Sequence, residues 1–169
     1  MPALSDAGMR ASVPAVVLDC VIYVQAAIST RGPAAQCLEA AEAGHLRLIA
    51  SEAILAELTD VLRRPEFVQR RPHLTPDYVT AFVSRVRRTA LVIHPVEAVF
   101  TFARDPNDEP YLNLVIASEA NYLVSRDRDL LDLDKPDSES GRDLRRILPD
   151  IAIMDPVELL QRIAPVDAG

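Results

Sequence analysis

The sequence predicts an α/β protein of three layers, with helices on both faces of a central parallel sheet. Two observations carry this. Short apolar runs rich in β-branched residues alternate along the chain with segments of helical periodicity. The first run, VPAVVL at Val13–Leu18, is apolar at consecutive positions instead of alternating, as a strand covered on both faces must be. With 169 residues, 49% of them hydrophobic, the chain is long enough for one sizeable core. A single domain over 14–164 is expected, behind a loose leader at 1–13.

The elements follow in order. Asp19 closes the first strand, and Ile22–Ile28 reads as a helix. Gly32-Pro33 opens a second helix with proline at its first position, and Gly44 ends it. Leu46–Ala50 is the second strand. Ser51 caps a helix over Glu52–Arg64, whose inner face is Ile54, Leu55, Leu58, Val61 and Leu62. Glu57 borders that face, whereas Asp60 points away from it. Pro65–Pro72 breaks the pattern, and Thr75-Pro76 starts a helix whose inward residues are Tyr78, Val79, Phe82, Val83 and Val86. Leu91–Ile93 is a third strand; Val96–Phe102 fits neither period.

The stretch Arg104–Leu131 then combines an acidic turn, a helix apolar on most sides, a strand at Tyr122–Ser125, and further acids directly after it. Asp134–Asp143 reads as a polar loop, Ile151–Met154 as the last strand and Pro156–Ile163 as the last helix.

Composition narrows the function. A net charge of −7 disfavours nucleic-acid binding by the whole surface, though not by a local basic rim. No apolar run approaches a membrane span, and two cysteines, Cys20 and Cys37, make no disulfide framework, so a reducing cytoplasm is the expected setting. His45, His73 and His94 lack ligand spacing.

The acids carry the chemistry. Asp19, Asp108 and Asp127 stand at strand or helix ends that converge beyond one edge of a parallel sheet, where such folds build sites. Glu57 makes a fourth. Taken singly, Asp108 and Asp127 read as acids stabilised by a helix N-terminus. Together they repel unless a cation neutralises them, and oxygen-only ligands suit Mg²⁺ or Mn²⁺. Such an ion activates water and stabilises a pentavalent phosphoryl transition state, which points to phosphodiester hydrolysis.

Leu18-Asp19, SEAILAEL with Glu57, RDPNDEPYL with Asp108, YLVSRDRDLL with Asp127 and IAIMDPVELL follow one another in an order that resembles the PIN domain family. It looks particularly like the VapC-like branch, the ribonuclease toxins of bacterial toxin–antitoxin pairs. The resemblance implies a PIN-like α/β/α fold and an acidic quartet, Asp19, Glu57, Asp108 and Asp127, binding Mg²⁺ or Mn²⁺ for RNA cleavage. It also implies Asp129 and Asp105 as additional acids, Ser125 as a polar neighbour, a cognate antitoxin as partner, and a homodimer. One departure is plain: the family usually reads Asp-Thr-Asn after the first strand, and this chain has Asp19-Cys20-Val21. Valine offers no hydrogen bond. Arg70, Arg71, Arg126 and Arg128 are candidates for an RNA rim, against the simpler reading of a solvated face. The rival function is a degenerate module that binds RNA or protein without cutting, and Val21 is the residue that separates the two.

Overall fold

The computed structural model describes residues 13–164, so the leader expected at 1–13 lies, apart from Val13, outside the described residues. Five strands form one sheet: β1 (Ala15–Leu18), β2 (Arg47–Ser51), β3 (Leu91–Ile93), β4 (Tyr122–Val124) and β5 (Ala152–Met154). The order is β3-β2-β1-β4-β5, and every pairing is parallel. All four residues of β1 are buried, which is why its sequence shows no alternation.

The helices are α1 (Cys20–Ile28), α2 (Pro33–Glu42), α3 (Glu52–Leu62), α4 (Pro65–Gln69), α5 (Pro76–Thr89), α6 (Glu109–Ser118), α7 (Arg128–Leu131), α8 (Glu139–Ile147) and α9 (Pro156–Ile163). Local chemistry starts several of them. Ser51 Oγ accepts from the Ile54 amide and Thr75 Oγ1 from the Tyr78 amide, so α3 and α5 begin where their cap residues say. Helix α6 is buried along Tyr111–Val115 because it packs across β1, β2 and β4. Its one buried amide, Asn113, accepts from the Val99 and Phe100 amides and donates to the Phe100 carbonyl. That pins the irregular stretch before it and explains why Val96–Phe102 follows no period.

Two expectations need correction. The segment 134–143 is not simply a loop: Ser138 Oγ accepts from the Gly141 amide and opens α8. Turn-forming residues mask that helix, because only Gly141 and Leu144 face inward. Likewise α4 occupies part of the supposed break at 65–72. Gly141 sits where an added Cβ would run into the backbone carbonyl of Leu133. Gly141→Ala is therefore expected to cost about 3 kcal/mol from overpacking and to lower the melting temperature by roughly 10 °C. Thermal denaturation checks it, and an unchanged midpoint would remove the claim.

The topology also fixes where a site forms. From β1 the chain builds outward to β2 and β3 on one side, and to β4 and β5 on the other. The carboxyl ends of β1 and β4 thus flank the switch point, where the connections diverge and leave a crevice.

Candidate metal centre

Leu18 lies opposite Val124, so Asp19 and Ser125 leave the sheet side by side. The Asp19 amide donates to the Val124 carbonyl at 2.9 Å, extending the ladder by one bond. Ser125 is fully buried. Its hydroxyl donates to Asp19 Oδ2 at 2.7 Å and accepts from the Asp127 amide at 2.9 Å. One hydroxyl therefore joins the first acid to the turn that carries the fourth. Asp127 in turn caps α7, its Oδ1 accepting from the Asp129 amide at 2.9 Å.

The third acid arrives on a turn. Asp105 Oδ1 accepts from the Asn107 amide and the Asp105 carbonyl from the Asp108 amide, winding the chain into the first turn before α6. Asp108 ends that turn 6% exposed, and its Oδ2 is buried without a hydrogen-bond partner among the described residues. Glu57 comes from α3 and is the most solvent-facing of the four; Tyr111 donates its phenolic hydroxyl to Glu57 Oε2 at 2.7 Å. All four acids line a single crevice of about 270 Å³. Val21, Val24 and Val61 add an apolar part to its lining. Val21 is 45% exposed at the crevice, where a polar residue was expected from the resemblance.

The electrostatics match the crowding. Burial, then the charges of Asp127, Asp105, Asp19 and Asp129, push the Asp108 carboxyl up to about 7. Burial also raises Asp19, opposed chiefly by the Ser125 hydrogen bond. Cys20 lies in the same crevice, but burial, reinforced by Glu57 and Asp19, pushes its thiol up to about 12. At neutral pH it is a protonated, buried small residue, not a nucleophile.

Asp105 and Asp129 are brought in as well. Oxygen atoms of Asp105, Asp127 and Asp129 all lie within 4.8 Å of one another, so Asp127 belongs to both groupings. Asp129 already has a cation: Arg104 Nε is 2.5 Å from its Oδ1, while the same guanidinium reaches Asp132 at 3.0 Å. Asp132 is thus part of an ion-pair network that includes Lys135 at 2.8 Å.

The arginines divide. Arg126 Nε donates to Gln25 Oε1 at the crevice edge, and Arg128 is exposed on α7. Arg70 is exposed after α4, and Arg71 stacks on Phe67 at 4.4 Å; neither lines the crevice. The residue that sequence reasoning missed is Tyr111, which the sequence offers only as part of the apolar helix after the acidic turn. Its signal was available, since a buried tyrosine hydroxyl needs a partner and Tyr111 stands one turn from Asp108.

The donor set fits a hard divalent ion. It is oxygen-only, it includes a buried carboxylate oxygen without a partner among the described residues, and burial together with the neighbouring acids holds that group partly protonated. Asp19, Asp108 and Asp127 would hold such an ion, with Glu57 beside them.

The sequence model of one protein family, described as PIN domain, matches residues 15–129, well over half of the chain. The match takes in all four crevice acids and ends on Asp129; α8, β5 and α9 lie beyond it. No curated protein and no solved structure gives a match.

Proposed function

The chain belongs to the PIN domain family, and on that premise we propose that it is a Mg²⁺- or Mn²⁺-dependent endoribonuclease of the VapC-like toxin branch. The observation that carries the reading is the partnerless Oδ2 of Asp108, buried at the meeting point of acids from β1, α6 and the β4–α7 turn. Leaving a buried carboxylate oxygen unpaired beside like charges is costly, and a bound cation removes the cost.

In this reading Asp19, Asp108 and Asp127 are the ligands and Glu57 completes the set. When bound, the ion supplies a lowered water pKa and a counter-charge for the phosphoryl oxygens. The protein's own contribution is orientation. Ser125 fixes the Asp19 carboxylate and the Asp127 backbone through one hydroxyl, so both acids keep their spacing as substrate enters. Arg126 stands at the crevice edge and, with Arg128, meets the RNA backbone on entry; Arg70 and Arg71 extend that rim in the same proposal.

The proposal extends to the setting: a single domain over 14–164, a homodimer, the cytoplasm, and a cognate antitoxin that covers the crevice with a basic side chain. Among the described residues no helix is long and apolar enough to cross a membrane.

The test is cleavage of structured and single-stranded RNAs in Mn²⁺, against the same reactions in EDTA and against Asp19→Asn. Cleavage by the wild type in Mn²⁺ alone is the expected result. Equal cleavage by wild type and Asp19→Asn would mean that the cutting does not come from this crevice, and no cleavage by either would leave the binding-only reading, which the exposed apolar Val21 favours.

A further inference from the structure

We infer that Tyr111 is the positioning residue for Glu57: its buried phenol holds a flexible surface glutamate against the crevice, so that α6 presents Asp108 directly and Glu57 through a hydrogen bond. The inference rests on the metal-dependent reading of the same crevice.

The geometry begins with helical spacing. Asp108 and Tyr111 are three residues apart at the opening of α6 and therefore share a side of that helix. Both line the crevice. Asp108 needs no help in staying there, because it is buried at the end of a short, hydrogen-bonded turn. Asp19 and Asp127 are likewise placed at the ends of strands and joined by Ser125.

Glu57 is different. It stands on α3 at the border of the buried face, and the residue as a whole is exposed. A glutamate there has several rotatable bonds and keeps its freedom unless something binds it. Among the described residues, the group that donates to its carboxylate is the Tyr111 hydroxyl, at 2.7 Å from Oε2. Tyr111 is 1% exposed, and α6, packed across the middle of the sheet, does not move it. One oxygen of Glu57 is thus fixed by a rigid donor while Oε1 remains available as an acceptor. Orienting groups of this kind behind a carboxylate ligand typically matter ~10–100-fold in metal affinity.

The experiment is calorimetric titration of the full chain with Mn²⁺, for wild type, Tyr111→Phe, Glu57→Gln and the double variant. Tyr111→Phe keeps the buried ring, and its melting temperature is expected to stay near that of the wild type. Its affinity for Mn²⁺ is expected to fall about tenfold. The double variant is expected to bind no more weakly than Glu57→Gln alone, because the phenol acts only through Glu57. A purely structural role would instead show the same loss in both backgrounds, and that result overturns the inference. So does wild-type affinity in Tyr111→Phe, or in Glu57→Gln. A wild-type protein that takes up no Mn²⁺ at all overturns the metal centre itself, and with it the role of Tyr111.

Discussion

Asp108→Asn is expected to slow RNA cleavage by roughly three orders of magnitude and, in the same protein, to raise the melting temperature measured without metal. The first effect follows from losing a charged ligand that contributes several kcal/mol to transition-state stabilisation, each ~1.4 kcal/mol being a factor of ten. The second follows from what surrounds Asp108 when no ion is present. It is buried, one of its oxygens has no partner, and Asp127, Asp105, Asp19 and Asp129 all act on it with like charge. Asparagine keeps the shape, removes the charge, and gives the neighbouring carboxylates an N–H to accept from. Single-turnover cleavage in Mn²⁺ and thermal melting in EDTA at pH 8 measure the two effects. A cleavage rate within tenfold of wild type, or a lower melting temperature, would count against the assignment.

The second large effect is on pH dependence. In the folded protein the Asp108 carboxyl titrates at about 7 instead of 3.8. Folding therefore binds a proton that the unfolded chain releases, and the charged form is the disfavoured one. The resulting loss of stability is absent below the unfolded value near 4, grows as pH rises, and is complete above about 7. Metal binding has the opposite requirement, because the ligand must be deprotonated. Affinity for Mn²⁺ is expected to rise about tenfold per pH unit below 7 and to level off above it. Titrations between about pH 5.5 and 8 would show the slope in the wild type and its absence in Asp108→Asn. A flat profile in the wild type would mean that Asp108 is not the proton-releasing ligand.

Much of the fold was legible because its signals are local. The bounds of β3 and α9 coincide with the apolar run and the Pro-led period that announce them. The all-parallel sheet follows from β1, whose consecutive apolar residues have no solvent face. Helix α8 was hidden for a physical reason: Ser138 and Gly141 look like turn residues, yet one is the cap and the other makes room for the Leu133 carbonyl.

The candidate site was legible as a set of acids and not as an arrangement. Spacing along the chain brought Asp19, Glu57, Asp108 and Asp127 to one crevice. The resemblance named Asp105 and Asp129 as additional acids, but not that both would close on Asp127, since that depends on how two turns pack. Nor did spacing reveal that a core tyrosine would end on Glu57, because periodicity locates a ring and not the atom at its tip.

The hydrogen bond between Ser125 and Asp19 spans 106 residues of sequence. Growing from its N-terminus, the chain delivers Asp19 and Glu57 early, but β4 and Asp127 only after about three quarters of its length. Until β4 docks beside β1, Asp19 has no Ser125 to orient it and the crevice has only one side. The long-range pairing of β1 with β4 that completes it is also the slow kind of contact to form. Any activity of this crevice is therefore acquired late and all at once, and a chain released early from synthesis carries acids but no centre.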